Sequence, residues 1–181
     1  MSAEGMMLVE LGGGTRPRGT DAIGRWINVD VRPLSTVDIV CDFERQPLPF
    51  ADDEVDQVYA AHCLEHIWPY KPLLHEIARV CRIGARVEIR VPHWNQQMAL
   101  CNDHKHTIGD DQVRHWSTDY IEDWFGGCEK RLWHAETRKQ RSGLYDEAAR
   151  LFPHLSQEQL FTFIPDTCHE VWYYFTVVPQ E

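Results

Sequence analysis

MLVELGGG, residues 7–14, is a short apolar run that ends in three consecutive glycines. Such a run is typical of a buried β-strand that leads into a tight turn, because glycine adopts φ values that other residues avoid. Glycines in this position also let the backbone approach a ligand closely, although the run can equally be only a turn. The pattern is not G-x-G-x-x-G, since Pro17 occupies the third glycine position, and this disfavours a dinucleotide pyrophosphate site.

Strand-like and helix-like segments alternate along the chain. The predicted strands are residues 7–11, 26–31, 37–41, 55–61, 86–91, 128–138 and 170–178. An amphipathic helix is predicted over residues 71–82, a long loop over 93–116 and a short helix over 117–125. This alternation predicts an α/β fold with a mostly parallel sheet and helices on both faces.

Residues 1–181 are expected to form a single domain, because the length fits one domain and no shift of composition marks a boundary. Between the last two predicted strands we expect a helical cap insertion at 143–168, with its helical part at about 143–159. The apolar face of this segment would close over a substrate, mediate a homodimer or simply pack on the sheet.

Charge and composition narrow the classes of partner. The formal net charge of −10 at pH 7 repels phosphate backbones, which disfavours nucleic acid and favours a small-molecule substrate. The chain has neither a signal-peptide pattern at its start nor an apolar run long enough for a membrane helix. The six cysteines are scattered without a C-x-x-C pair, as expected of free thiols in a reducing compartment. We therefore expect a cytoplasmic protein without a membrane partner.

Acidic residues follow the second and third predicted strands. Asp30 comes roughly 20 residues after the glycines, where a carboxylate can accept both hydroxyls of a ribose. Asp42 can accept a hydrogen bond from an adenine amino group, while the backbone N–H of Phe43 meets a ring nitrogen. Taken singly, each of these residues also fits an ordinary turn. Ligands of open parallel sheets bind beyond the carboxyl ends of the strands, so the three features are expected at one site.

The order of these blocks resembles a known family. The resemblance is carried by ELGGG (10–14), GRWINVDVRP (24–33), VDIVCDFERQPLPFADDEVDQVYAAHCLEHI (37–67) and HEIARVCRIGARVEIRVPH (75–93). These blocks resemble the class I S-adenosylmethionine-dependent methyltransferases, most closely the small bacterial type with the pattern LEIGcG…NvDi…LPF…LEH. The resemblance covers about half the chain and implies a Rossmann-like, seven-stranded sheet, S-adenosylmethionine as cofactor, and methyl transfer.

Carried over block by block, the resemblance also implies which residues bind the cofactor. The methionine part and the ribose would lie against Glu10, Gly12, Gly13 and Gly14. Asp30 would hold the ribose hydroxyls, Asp42 and Phe43 the adenine, and His62 would lie near the sulfonium, while Glu65 and His66 match the LEH block.

Two departures from the family pattern carry expectations of their own. Only about a dozen residues separate Gly14 from the second strand, so the helix that normally follows the glycines should be short or replaced by a loop. Pro69 should kink or end the helix after the fourth strand.

Histidines supply the candidate chemistry. Methyl transfer requires an aligned nucleophile, methyl carbon and sulfur, and a base where the nucleophile carries a proton. The candidate catalytic residues are His66, His104 and His106. A second hypothesis is a divalent metal that binds the substrate oxygens; its candidate ligands are His93, Asp103, His104 and His106. In a third, these side chains only pack at the pocket wall or lie exposed in the loop.

The sequence thus predicts S-adenosylmethionine-dependent O- or N-methylation of a small molecule. Two other functions stay open. One is a non-catalytic module that senses S-adenosylmethionine or serves as a partner subunit. The other is an NAD-dependent oxidoreductase, against which the missing glycine counts.

Overall fold

The computed structural model describes residues 5–117 and 128–180, and its strands form one sheet in the order β3-β2-β1-β4-β5-β7-β6. The strands are β1 Leu8–Leu11, β2 Trp26–Asp30, β3 Ile39–Val40, β4 Val55–Ala61, β5 Cys81–Pro92, β6 Lys130–Arg141 and β7 Cys168–Pro179. Strands β1 to β5 pair in parallel, whereas β7 runs antiparallel to both β5 and β6. The predicted seven-stranded, mostly parallel sheet is confirmed.

The helices match the prediction in part. They are α1 Lys71–Val80, α2 Asp110–Ser117, α3 Tyr145–Leu151 and α4 Gln157–Phe163, with 3-10 turns at Leu64–His66 and Gln97–Leu100. Helix α1 begins where the predicted helix at 71–82 begins and ends two residues earlier, because β5 already starts at Cys81. After β4 the chain makes only a 3-10 turn, and α1 begins two residues beyond Pro69, as that proline predicts. Helices α3 and α4 both lie within residues 143–168.

Helix α2 corrects the prediction of a loop over residues 93–116. The sequence of α2 is so polar that apolar residues do not recur at helical spacing. Acidic residues in its first turn and basic residues in its last turn nevertheless complement the helix dipole. Val113 and Trp116 are 1% exposed and anchor the helix to the sheet. Ser117 is the last residue of α2 rather than the start of a helix, and the rest of the predicted helix at 117–125 lies outside the described residues.

The main core lies on one face of the sheet. Alternate strand residues such as Val58 and Ile89 pack there against the buried side chains of all four helices. On the opposite face, Leu8, Trp26 and Tyr59 form a separate small cluster. The described residues thus place the helices on one face rather than on both. The segment 12–25 between β1 and β2 is a loop, as predicted, and the guanidinium of Arg18 lies 4.6 Å from the Trp26 ring centroid and 4.3 Å from that of Tyr59.

The helices are short. Within the described part of the chain, none combines the length and the apolar character needed to cross a bilayer.

Candidate functional site

A cleft of about 390 Å³ lies at the carboxyl ends of β1 to β4, where the strand order reverses. Such a volume falls within the range of small-molecule sites. Its lining includes five residues of the predicted cofactor set, one or more from the end of each of these four strands: Gly12, Asp30, Asp42, Phe43 and His62. The sheet therefore brings together residues that are 50 positions apart in the sequence.

The glycine turn after β1 is held by close contacts with its neighbours. Gly12 has φ +73°, and a Cβ at this position would lie 2.8 Å from the Cys63 Sγ. The N–H of Gly13 donates to the Asn28 side-chain oxygen over 3.2 Å, and the N–H of Gly14 donates to the Asp30 carboxylate over 3.0 Å. Gly13 and Gly14 therefore fix the turn to β2, while Gly12 lines the cleft.

Asp30 is 3% exposed and lies at the end of β2. The Arg32 guanidinium donates to it, with Nε 3.1 Å from Oδ1 and Nη2 3.3 Å from Oδ2. Burial alone would raise the pKa of the Asp30 carboxyl, but the hydrogen bonds from Arg32 and Gly14 outweigh it and hold this pKa below its usual value. Asp30 is therefore an anion at neutral pH, with hydrogen-bond acceptors at the cleft.

Glu10 lies away from the lining of the cleft. Its carboxylate is 4% exposed and accepts the backbone N–H of Arg18 over 2.6 Å. Burial raises the pKa of Glu10, and the bond from Arg18 offsets part of this effect. Glu10 therefore anchors the loop 12–25, which replaces the expected helix, through its hydrogen bond with the Arg18 backbone.

His62 follows β4 with φ +49° and has a half-exposed side chain between two carboxylates. Its Nε2 lies 3.1 Å from Glu170 and its Nδ1 3.4 Å from Glu65. The interaction with Glu170 raises the pKa of His62 most, the interaction with Glu65 raises it further, and together they bring it to about 9. His62 therefore carries a proton at neutral pH and donates hydrogen bonds rather than accepting a proton.

His66 and His104 form a pair at the edge of the cleft. Their ring centroids are 4.8 Å apart, and His66 lines the cleft together with Asp103. The Nδ1 of His66 lies 3.0 Å from the Asp103 backbone oxygen, and the Nδ1 of His104 lies 3.3 Å from the Ala99 backbone oxygen. Because a carbonyl oxygen only accepts, these contacts place the hydrogen on Nδ1 and leave Nε2 unprotonated in the neutral rings.

The other two predicted histidines have different surroundings. His106 donates from Nε2 to the backbone oxygens of Leu64 and Ile67, each over 3.0 Å, and stacks on Tyr70 at 4.7 Å. It thereby ties the loop after β5 to the turn after β4. His93 is 3% exposed, and its pKa is lowered mainly by burial. Its ring packs 6.3 Å from that of Phe161 in α4, and it does not line the cleft.

Sequence reasoning missed three residues of the site. Arg32 could have been found, because it stands two positions after Asp30 at a strand end, where alternate residues point the same way. Cys63 could not be found from the sequence, because its role is to occupy the space beside Gly12 that a side chain at position 12 would need. Glu170 is 108 residues from His62 in the sequence, and only the antiparallel pairing of β7 with β5 brings it to the site.

Comparisons with known proteins point to one family. Residues 19–89 match the family described as methyltransferase domain. A search of the curated proteins finds no significant match.

Several solved structures share the fold across nearly the whole chain. A S-adenosylmethionine-dependent methyltransferase from Archaeoglobus fulgidus superposes with a TM-score of 0.63 at 11% identity, covering 96% of this chain and 87% of its own. A putative methyltransferase, solved with the Trm112 methyltransferase activator of Haloferax volcanii, gives a TM-score of 0.52 at 20% identity, covering 98% and 84%. Geranyl diphosphate methyltransferase in complex with S-adenosylmethionine gives 0.57 at 12% identity, covering 96% and 79%. At these identities the likeness concerns the fold.

Proposed function

We propose that the protein is a class I S-adenosylmethionine-dependent methyltransferase that methylates an oxygen or nitrogen of a small-molecule acceptor; the match of residues 19–89 to a methyltransferase domain and the shared fold support this proposal. The observation that carries the proposal is the convergence of Gly12, Asp30, Asp42 and Phe43 on one cleft at the switch point of the sheet.

The cleft offers suitable partners for each part of the cofactor. Asp30 supplies two carboxylate oxygens for the ribose hydroxyls, once they are released from Arg32. Asp42 and Phe43 lie at the end of β3 for the adenine. Gly12 offers its backbone to the methionine part. A side chain at this position would collide with Cys63, so the backbone stays uncovered. Carboxylates also suit the positive charge of a sulfonium, and Glu170 stands beside His62.

A small acceptor is supported by the charge of the cleft. Its lining includes four carboxylates, those of Asp30, Asp42, Glu44 and Asp103. A polyanionic acceptor such as nucleic acid would meet repulsion from these carboxylates and from the net charge of the chain.

Activation of the acceptor falls to the pair His66 and His104 in this proposal. Their Nδ1 atoms face backbone carbonyls, so in the neutral rings Nε2 is the nitrogen that can accept a proton. The two neighbouring carboxylates raise the pKa of His62, so this residue serves as a hydrogen-bond donor rather than as a base.

Calorimetry with S-adenosylmethionine and S-adenosylhomocysteine tests the cofactor site. We expect binding to the wild type and a loss of about tenfold or more in Asp30→Asn, because hydrogen bonds to a charged group contribute about 1.5–3 kcal/mol. Asp146→Asn, at an exposed position of α3, is the matched control and should bind as the wild type does. Equal affinity in Asp30→Asn and the wild type would contradict the placement of the ribose.

The same protein distinguishes the other functions. Turnover on a panel of hydroxyl, carboxyl and amine acceptors supports the enzyme. Binding of the cofactor without turnover on the panel favours a sensor or partner subunit. Binding of a nicotinamide dinucleotide in place of S-adenosylmethionine favours an oxidoreductase.

A further inference from the structure

We propose that Glu65, His66 and His104 bind one divalent transition-metal ion at the edge of the cleft. The site is distinct from the predicted cofactor residues. Its assignment to the acceptor, but not its existence, rests on the proposed methyl transfer.

Glu65 is the first observation. Its side chain is 2% exposed, and neither carboxylate oxygen accepts a hydrogen bond from any described residue. The nearest charged partner is the Nδ1 of His62, at 3.4 Å from Oε1. This single, long contact with His62 leaves Oε2 without a partner among the described residues, and a bound cation would supply one to the buried carboxylate.

The orientation of the two histidines is the second observation. In both, Nδ1 faces a backbone carbonyl, that of Asp103 for His66 and that of Ala99 for His104. Metal-binding histidines typically donate one ring N–H to a carbonyl or carboxylate, which orients the ring and leaves the other nitrogen for the metal. Both histidines thus have the tautomer and the backbone support of a ligand.

The distances allow a common centre. One ligand atom from each of Glu65, His66 and His104 lies within 4.8 Å of the others. With bonds of about 2.0–2.2 Å, two donors on a tetrahedral ion lie about 3.3–3.6 Å apart, so small side-chain rotations can bring the three groups onto one ion. Asp103 and Cys101 form a second group with His104 within the same limit, and they provide further donors at the exposed side.

Two histidines and one carboxylate favour zinc, iron(II), cobalt(II) or nickel(II) over the harder magnesium and calcium. Three protein ligands leave coordination positions open for water or an acceptor oxygen. A hydroxyl or carboxyl acceptor bound there would lose its proton to bulk water more readily. Its oxygen would then form a bond to the methyl carbon as the carbon–sulfur bond breaks, and the sulfonium would become a neutral thioether.

The test is titration of chelator-treated protein with Co²⁺, read by its visible absorption, and with Zn²⁺, read by calorimetry. We expect one ion per chain, with an affinity reduced about tenfold or more in His104→Gln and in Glu65→Gln. His154→Gln, at an exposed position, is the matched control and should bind as the wild type does. Glu65 is buried, so Glu65→Gln could unfold. In that case the His104→Gln variant decides the test, because His104 is only partly buried.

Equal metal affinity in the wild type, His104→Gln and folded Glu65→Gln would overturn the proposal. Metal-free protein that turns over, and loses turnover in His66→Gln, would overturn the assignment of the ion to the acceptor and would identify a histidine base. Calorimetry with S-adenosylmethionine separates the two proposals: metal binding without cofactor binding refutes the proposed function alone, and cofactor binding without metal binding refutes the metal site alone.

Discussion

The guanidinium of Arg32 covers both carboxylate oxygens of Asp30, at 3.1 Å and 3.3 Å. These are the oxygens that would accept the ribose hydroxyls. The Arg32 side chain is 58% exposed, whereas that of Asp30 is 4% exposed, so the arginine reaches in from solvent over a buried acid. Binding of the cofactor ribose at Asp30 would therefore exchange this ion pair for hydroxyl hydrogen bonds.

Replacing Arg32 should tighten cofactor binding. An ion pair with an exposed partner contributes about 0–1 kcal/mol, so Arg32→Gln should bind S-adenosylmethionine up to about fivefold more tightly by calorimetry. Added salt should raise the affinity of the wild type more than that of the variant, because it screens the pair. Arg150→Gln, at an exposed position of α3, is the control. Weaker binding in Arg32→Gln would instead show that Arg32 contacts the cofactor.

A side chain at Gly12 should be poorly tolerated. Its positive φ costs an L-residue roughly 1–2 kcal/mol, and the added Cβ would lie 2.8 Å from the Cys63 Sγ. We expect Gly12→Ala to lower the free energy of unfolding by about 2–4 kcal/mol and to weaken cofactor binding. Denaturant unfolding of the double variant Gly12→Ala/Cys63→Ala measures the clash alone, because removal of Sγ should recover part of the loss. A strictly additive double variant would rule out the contact.

His62 should titrate near pH 9. Its imidazole NMR signals should report a pKa of about 9, and Glu170→Gln should lower this pKa by about 1 unit or more, because it removes an opposite charge. Glu158→Gln, which removes a carboxylate on α4, is the control and should leave the pKa of His62 unchanged. A pKa of His62 near 6.5 in the wild type would disprove the pairing with Glu170 and Glu65.

The sign of the effect on stability follows from the same pKa. Since the folded protein raises the pKa of His62 from 6.5 to about 9, the stabilisation is complete below pH 6.5 and is lost as the pH rises through 9. The free energy of unfolding of the wild type should therefore fall over this window, and less so in Glu170→Gln. The half-exposed side chain keeps the change small.

Local patterns in the sequence were enough to predict the sheet and one wall of the cleft. Gly12, Asp30 and Asp42 each stand at the end of an apolar run, and the parallel sheet brings such ends to one edge. Each block predicts its own strand and its own residue at the cleft, so no long-range information is needed. The same holds for α1, whose apolar period is regular.

Features that depend on pairing between distant segments could not be predicted. Glu170 reaches His62 only through the register of β7 with β5. On the face opposite the described helices, Arg18 stacks over Trp26 and Tyr59, a contact that no local pattern in the sequence predicts. His104 and His106 also look alike in the sequence. In the structure, however, His104 lies at the edge of the cleft, whereas His106 ties the loop after β5 to the turn after β4.

His106 should prove structural rather than catalytic. Its Nε2 donates to the Leu64 and Ile67 backbone oxygens and its ring stacks on Tyr70, so His106→Ala removes both contacts. We expect a loss of about 2–3 kcal/mol in the free energy of unfolding by chemical denaturation, since two carbonyl groups lose a donor. His104→Ala should cost about 1 kcal/mol or less, because its side chain makes one hydrogen bond of 3.3 Å to Ala99 and one ring contact with His66. A stable His106→Ala that binds the cofactor but has lost turnover would instead make His106 the base.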